Sequence, residues 1–191
     1  MPLPKPAPRK EIHFRSIEMR GFSREDGLYD IEGRITDIKP DRLAPNVGRH
    51  VEPGQPLHDM WVRLVIDKEM LVHEAMAVTD ASPYSVCPEI APAVSALKGE
   101  RMSRGWRAAI SGKLGGVGGC THIRELLNTM GSTAFQTMVS VLRAELPKAL
   151  AGDSAKPRML DSCYAHASDS VVVMHKYPKF YTGQPGDTRK P

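Results

Sequence analysis

Long apolar runs are missing from this chain of 191 residues, and with them any stretch of the roughly 20 residues that a bilayer-spanning helix requires. Residues 1–10 alternate prolines and bases and hold none of the apolar centre that an export signal carries. The expectation is a cytoplasmic protein with no membrane partner. Aromatic residues are scarce at 6%, and no basic stripe interleaves with them, so nucleic-acid binding has little to build on. Much of the formal charge of +4 sits near the two ends, at Lys5, Arg9 and Lys10 and at Lys176, Lys179, Arg189 and Lys190. Such runs read as solvated tails rather than as a nucleic-acid arm.

Cysteine is also in short supply. Cys87, Cys120 and Cys163 form an odd set without a C-x-x-C pair, which argues against disulfides and leaves metal ligation, catalysis or plain burial. The glycine run before Cys120 lacks the Lys-Ser/Thr of a phosphate loop and follows a helical pattern rather than a strand, so nucleotide fingerprints fail on context. No internal repeat, no Ser/His/Asp order and no paired carboxylates stand out.

What the chain does carry is a change of period. Proline-rich residues 1–11 read as a disordered arm. Residues 12–19 and 29–38 alternate apolar with polar side chains and are joined through Asp26-Gly27, a hairpin signal. A proline-rich loop over 39–56 leads to a second hairpin, 60–66 and 70–78, turning at Asp67-Lys68-Glu69. Helical spacing follows: a first helix with Ile90, Val94 and Leu97 stopped at Gly99, and a second over 102–114 with Trp106 and Ile110 inward. The third and longest opens after Cys120 and ends before Pro147. Strands first and helices second predict an α+β fold, an antiparallel sheet with about three helices on one face, in one domain over 12–150. Residues 151–181 form an extension in which 170–174 suggests a short edge strand, and 182–191 a disordered tail.

The chemistry concentrates at element ends. Cys120 and His122 stand where the glycines give way to the long helix, a place where free backbone N–H groups and the positive end of the dipole favour a thiolate. His58 stands just before a strand and Cys87 at the bend into the first helix. Thiolate and imidazole together suit zinc or another borderline-soft ion. The alternating charges Arg15, Arg20, Arg24, Asp26, Asp30, Glu32, Asp37 and Lys39 read as a solvent face of the first two strands. The alternative is that Arg24 and Lys39, beside the proline loop, take the acid group of a substrate.

The motifs His13-x-Arg15, 21–33 with Gly21-Phe22 and Asp26-Gly27-Leu28-Tyr29, Asp37-x-Lys39, His58-Asp59-Met60 and Gly118-Gly119-Cys120-Thr121-His122 resemble the bacterial domain of unknown function family numbered 2889. That resemblance brings no activity with it. A second one concerns element order over about 57–142, which is similar to the NifU-like and SufE-like proteins of iron–sulfur cluster assembly. It implies metal positions at His58 or Asp59, at Cys87 and at Cys120, with His122 beside the last. The early cysteine of those scaffolds and their proline-rich chaperone motif are missing here.

Together these readings predict a zinc-dependent enzyme of small-molecule metabolism, with His58, Cys87, Cys120 and His122 as metal ligands and Arg24 or Lys39 orienting an anionic, carboxylate-like substrate. The alternative is a non-catalytic scaffold or carrier of metal, sulfur or an iron–sulfur cluster. Self-association into a homo-oligomer is left open.

Overall fold

A computed structural model describes residues 3–44, 48–149, 156–157 and 159–183, with only the helical backbone described over 142–149. The tail expected after Thr182 therefore lies outside the described residues from 184 onward. The chain divides into two compact units, Met1–Leu142 and Arg143–Pro191.

The first unit is α+β. Strands β1 (Phe14–Ser23), β2 (Tyr29–Ile38), β3 (Pro56–Ile66) and β4 (Val72–Ala81) form one sheet in the order β1-β2-β3-β4, each antiparallel to the next. The alternation of β2 is regular: Tyr29, Ile31, Gly33, Ile35 and Asp37 are buried and the residues between them half-buried. The same phase in β3 turns Met60, Val62, Leu64 and Ile66 inward, because successive side chains of a strand point to opposite faces. The outward phase leaves Trp61, Met76 and Val78 exposed.

Helices cover the inward face. α1 (Trp106–Leu114) contributes Trp106, Ile110 and Leu114, and α2 (Thr121–Ala149) contributes Ile123, Leu126, Leu127, Met130, Ala134 and Met138 to the core that holds Ile31, Ile35, Met60 and Leu64. Each fully buried aliphatic side chain stabilises the fold by about 1.5–3 kcal/mol. The Trp106 indole donates to the Leu127 carbonyl at 2.9 Å, which ties α1 to α2 without leaving a buried N–H unpaired.

Three expectations need correction. The first expected helix is a 3-10 helix over Cys87–Leu97 with Pro92 inside it. A proline there lacks an N–H and clashes with the carbonyl four residues back, so the α-form is disfavoured while Ala91, Val94 and Leu97 still reach the core. α2 runs on past Pro147 to Ala149; so near a helix end a proline forgoes one hydrogen bond rather than a whole register. In the second unit, 170–174 is not a strand: Val171–Lys176 is a helix, α3, opened by Ser170, whose hydroxyl accepts from Val173 N at 3.2 Å. The cap outweighs the β preference of the three valines.

Among the described residues no helix is long and apolar enough to cross a membrane.

Candidate metal centre

One rung of the sheet is polar. Register aligns Arg15 of β1 with Asp37 of β2, and Asp37 with His58 of β3, so three adjacent strands place an arginine, a carboxylate and an imidazole side by side. Asp37 continues the inward phase of Ile31 and Ile35, and His58 that of Met60 and Val62. The core row of each strand thus ends in an ionisable group. Asp37 is 1% exposed.

The start of α2 reaches the same rung. Cys120 is the residue before the helix, and its carbonyl accepts from Arg124 N at 3.0 Å. Gly119 allows the chain to get there: a Cβ at that position would collide with the Leu114 carbonyl, so the turn between α1 and α2 closes only around a residue without a side chain. The second residue of α2, His122, then packs its ring on that of His58, with centroids 3.8 Å apart and planes at 34°.

Asp37 collects the donors around it. Arg15 Nε reaches Oδ1 at 2.7 Å and Nη2 reaches Oδ2 at 2.8 Å, a bidentate pair that holds the carboxylate plane. His13 Nε2 lies 3.1 Å from Oδ1, His58 Nδ1 2.9 Å from Oδ2, and His122 Nε2 3.6 Å from Oδ2. Arg15 also donates to Glu125 on α2, Nη1 to Oε2, at 2.6 Å. On the other side of its ring, His122 Nδ1 is 3.8 Å from Cys120 Sγ, and that sulfur is 3.9 Å from Met60 Sδ.

The electrostatics favour ligand-ready forms. Burial pushes the Asp37 carboxyl up, but hydrogen bonding and charge from Arg15, together with the His58 contact, outweigh it and hold the group below the usual carboxylate range. Burial pushes the His58 imidazole down, against the pull of Asp37. His122 is lowered by burial first, then by its neighbours His58 and Arg15. An anionic oxygen and two imidazoles that resist protonation are what a metal ion requires of its ligands.

Ligand atoms of Asp37, His58 and His122 all lie within 4.8 Å of one another. Two donors on one ion at about 2.1 Å stand roughly 3.0 Å apart at a right angle and 3.4 Å apart at the tetrahedral angle. The two edges from Asp37 Oδ2, 2.9 and 3.6 Å, bracket those values. A carboxylate has about four lone-pair sites, and Arg15 takes one on each oxygen. An ion would replace the proton now shared by His58 and Asp37 and leave Arg15 as the outer support of its ligand. The arrangement is a possible Asp/His/His metal-binding site.

The structure brings together His58, His122 and Cys120 of the expected ligands. Cys87, half-buried at the start of its 3-10 helix, is not among the three grouped residues. Arg24 lies in the β1–β2 turn, bound to Asp26 at 2.5 Å and to Asp30 at 3.2 Å. Asp30 and Asp37 are seven residues apart on β2, about 23 Å at the rise of a strand. Lys39 directly follows β2, two residues beyond Asp37.

Sequence reasoning gave no site role to Asp37, Arg15, His13 or Glu125: it set Arg15 and Asp37 on a solvent face, whereas Asp37 is buried, and met His13 only within a motif. The signal for Asp37 was its phase: it falls in step with Ile31 and Ile35, where an acid is out of place unless something pairs with it. Nothing in a single sequence would have selected Glu125, one turn into α2.

A family model described as "Protein of unknown function (DUF2889)" matches residues 13–136, a span that includes His13 and every residue of the cluster. No curated protein and no solved structure matches the chain, so the likeness of element order to the cluster-assembly scaffolds has no structural match behind it.

Proposed function

The chain belongs to the DUF2889 family, whose description carries no chemistry, and from its own residues we propose that it is a divalent-metal enzyme of small-molecule metabolism. Asp37, His58 and His122 hold the ion. The observation that carries this reading is the convergence of one carboxylate and two imidazoles from β2, β3 and α2 within 4.8 Å. Two histidines and one carboxylate suit zinc in a catalytic setting or ferrous iron. Three protein ligands leave positions for water or a substrate oxygen, whereas a structural site closes all four. Such an ion lowers the pKa of bound water or polarises a carbonyl. This is why we favour turnover over the carrier alternative, which needs no open position.

Around the ion, Arg15 fixes the Asp37 carboxylate in one plane and His13 lies over its outer oxygen, more than a third exposed. Of the two cations expected to take a substrate's acid group, Lys39 is the one we assign, because Arg24 is already shared between two carboxylates. Calorimetric titration of metal-stripped full-length protein with zinc or ferrous iron tests the reading. One ion per chain is expected for the wild type, with binding lost in His58→Ala and in His122→Ala. Equal binding in the wild type and both variants would refute the ligand assignment.

A further inference from the structure

His122 has a second face. Its Nε2 points toward Asp37, while Nδ1 meets a sulfur pair: Cys120 Sγ at 3.8 Å, itself 3.9 Å from Met60 Sδ. We infer that Cys120, Met60 and His122 Nδ1 form a second, soft-metal site for copper(I). The inference uses the other nitrogen of the shared ring and no oxygen donor; a neutral imidazole has a single lone pair, so copper(I) on Nδ1 puts the ring proton on Nε2 and the two ions take His122 in alternation.

The distances carry the argument. With metal–sulfur bonds of about 2.3 Å and a metal–nitrogen bond of about 2.0 Å, three donors in a trigonal plane stand about 4.0 Å apart for sulfur to sulfur and about 3.7 Å for sulfur to nitrogen. The two edges that meet at Cys120 Sγ, to Met60 Sδ and to His122 Nδ1, are 3.9 and 3.8 Å. Both distances also suit S–H hydrogen bonds, so the donor chemistry decides which ion fits. A thioether is no ligand for zinc, calcium or magnesium, and thiolate with thioether selects copper(I).

The surroundings agree with that choice. Met60 is 1% exposed and Cys120 packs half-buried against the apolar core. A monovalent ion of low coordination number needs no water in its shell and is favoured where hydration would be lost anyway. The thiol proton leaves when the ion enters, so one positive charge replaces another and the net charge of the site does not change. The backbone supports the geometry as well: Met60 is fixed by strand pairing to Ile35 and Thr79, and Cys120 by its place at the mouth of α2.

Full-length protein, reduced and kept under nitrogen, is titrated with copper(I) against a coloured copper(I) chelator, and the loaded wild type is examined by X-ray absorption at the copper edge. The expected result is one copper(I) per chain with two sulfurs and one nitrogen in its first shell, and binding weakened about tenfold or more in Met60→Leu and in Cys120→Ser. Cys87→Ser/Cys163→Ser retains it, as does Asp37→Asn, which loses only the divalent ion. A first shell with one sulfur, or an affinity unchanged in Met60→Leu, overturns the site. So does a chain that gives up all copper to the chelator. Because the absorption measurement uses the wild type, a variant that fails to fold does not blur the outcome.

Discussion

His58 and His122 stack with ring centroids 3.8 Å apart, although one comes from β3 and the other from the first turn of α2. Two imidazoles in such contact cannot both carry charge cheaply, and burial lowers the affinity of each for a proton. Asp37 lies beside both. The three groups are arranged as neutral, neutral and anionic donors, which is the state a divalent ion binds.

Asp37→Asn keeps the size of the side chain and removes its charge. Arg15 and the histidines then face an amide in place of a carboxylate, and the loss of charge-assisted hydrogen bonds at a side chain that is 1% exposed costs about 2 kcal/mol. Urea unfolding of metal-free protein reads the stability change. Calorimetry with zinc, on the same variant, is expected to show binding abolished.

Arg24→Ala has the opposite signature. Its partners are Asp26 in the β1–β2 turn and Asp30 at the start of β2, at the far end of that strand from Asp37, so metal content is expected to equal that of the wild type and the thermal midpoint to move little. Elemental analysis beside a melting curve checks both. A loss of metal in this variant would bring Arg24 back to the site.

The β3–β4 turn supplies a pH dependence that is separate from the site. Asp67 Oδ1 accepts from Glu69 N at 3.0 Å and Leu71 N at 2.9 Å, and Oδ2 lies 2.8 Å from His73 Nε2. Burial raises the Asp67 carboxyl, but the His73 contact and the two backbone N–H groups outweigh it and hold the group below its ordinary 3.8. A depressed folded-state value means the unfolded chain binds the proton first as pH falls. The stabilisation is therefore complete above the ordinary value and is lost as pH drops through the folded one. Asp67→Asn is expected to be less stable at neutral pH by about 1 kcal/mol, and its unfolding midpoint should change less than that of the wild type below pH 3.8. Parallel midpoints across that range would show that Asp67 contributes nothing.

Gly21→Ala tests how closely α2 lies on β1. A Cβ at Gly21 would collide with the Thr137 hydroxyl and stand 2.9 Å from its Cβ and Cγ2, so the helix or the strand has to shift, at a cost of about 1–3 kcal/mol. Thr137→Ala in the same chain should restore part of that, because it removes two of the three clashing atoms. A Gly21→Ala chain as stable as the wild type would mean that the helix sits further from the strand.

Much of this architecture was legible beforehand, and the reasons differ by element. β2 could be read to the residue because its alternation is unbroken and bounded by Asp-Gly and Pro. The long helix showed in the spacing of Ile123, Leu126, Met130, Ala134 and Met138, and His122 in its place at the helix start, whereas His58, expected just before a strand, is the third residue of β3. Asp37 was misjudged with the solvent-facing charges, because alternation tells which residues share a face but not that an acid will close the buried one. Only the register that sets Arg15 and His58 on either side of it reveals the compensation. The prolines at 88 and 92 were visible, yet Ile90, Val94 and Leu97 have the spacing of an α-helix. Ser170 as a cap outweighed the β-branched run behind it.

The donors of the candidate centre come from the second strand, the third strand and the last long helix of the first unit. A growing polypeptide therefore holds no complete set until residue 122 has left the ribosome and met a sheet already in register. A strand slipped by one residue would turn its donor to the opposite surface. Any ion taken at this centre would therefore arrive late in maturation, and only in molecules whose topology is already correct.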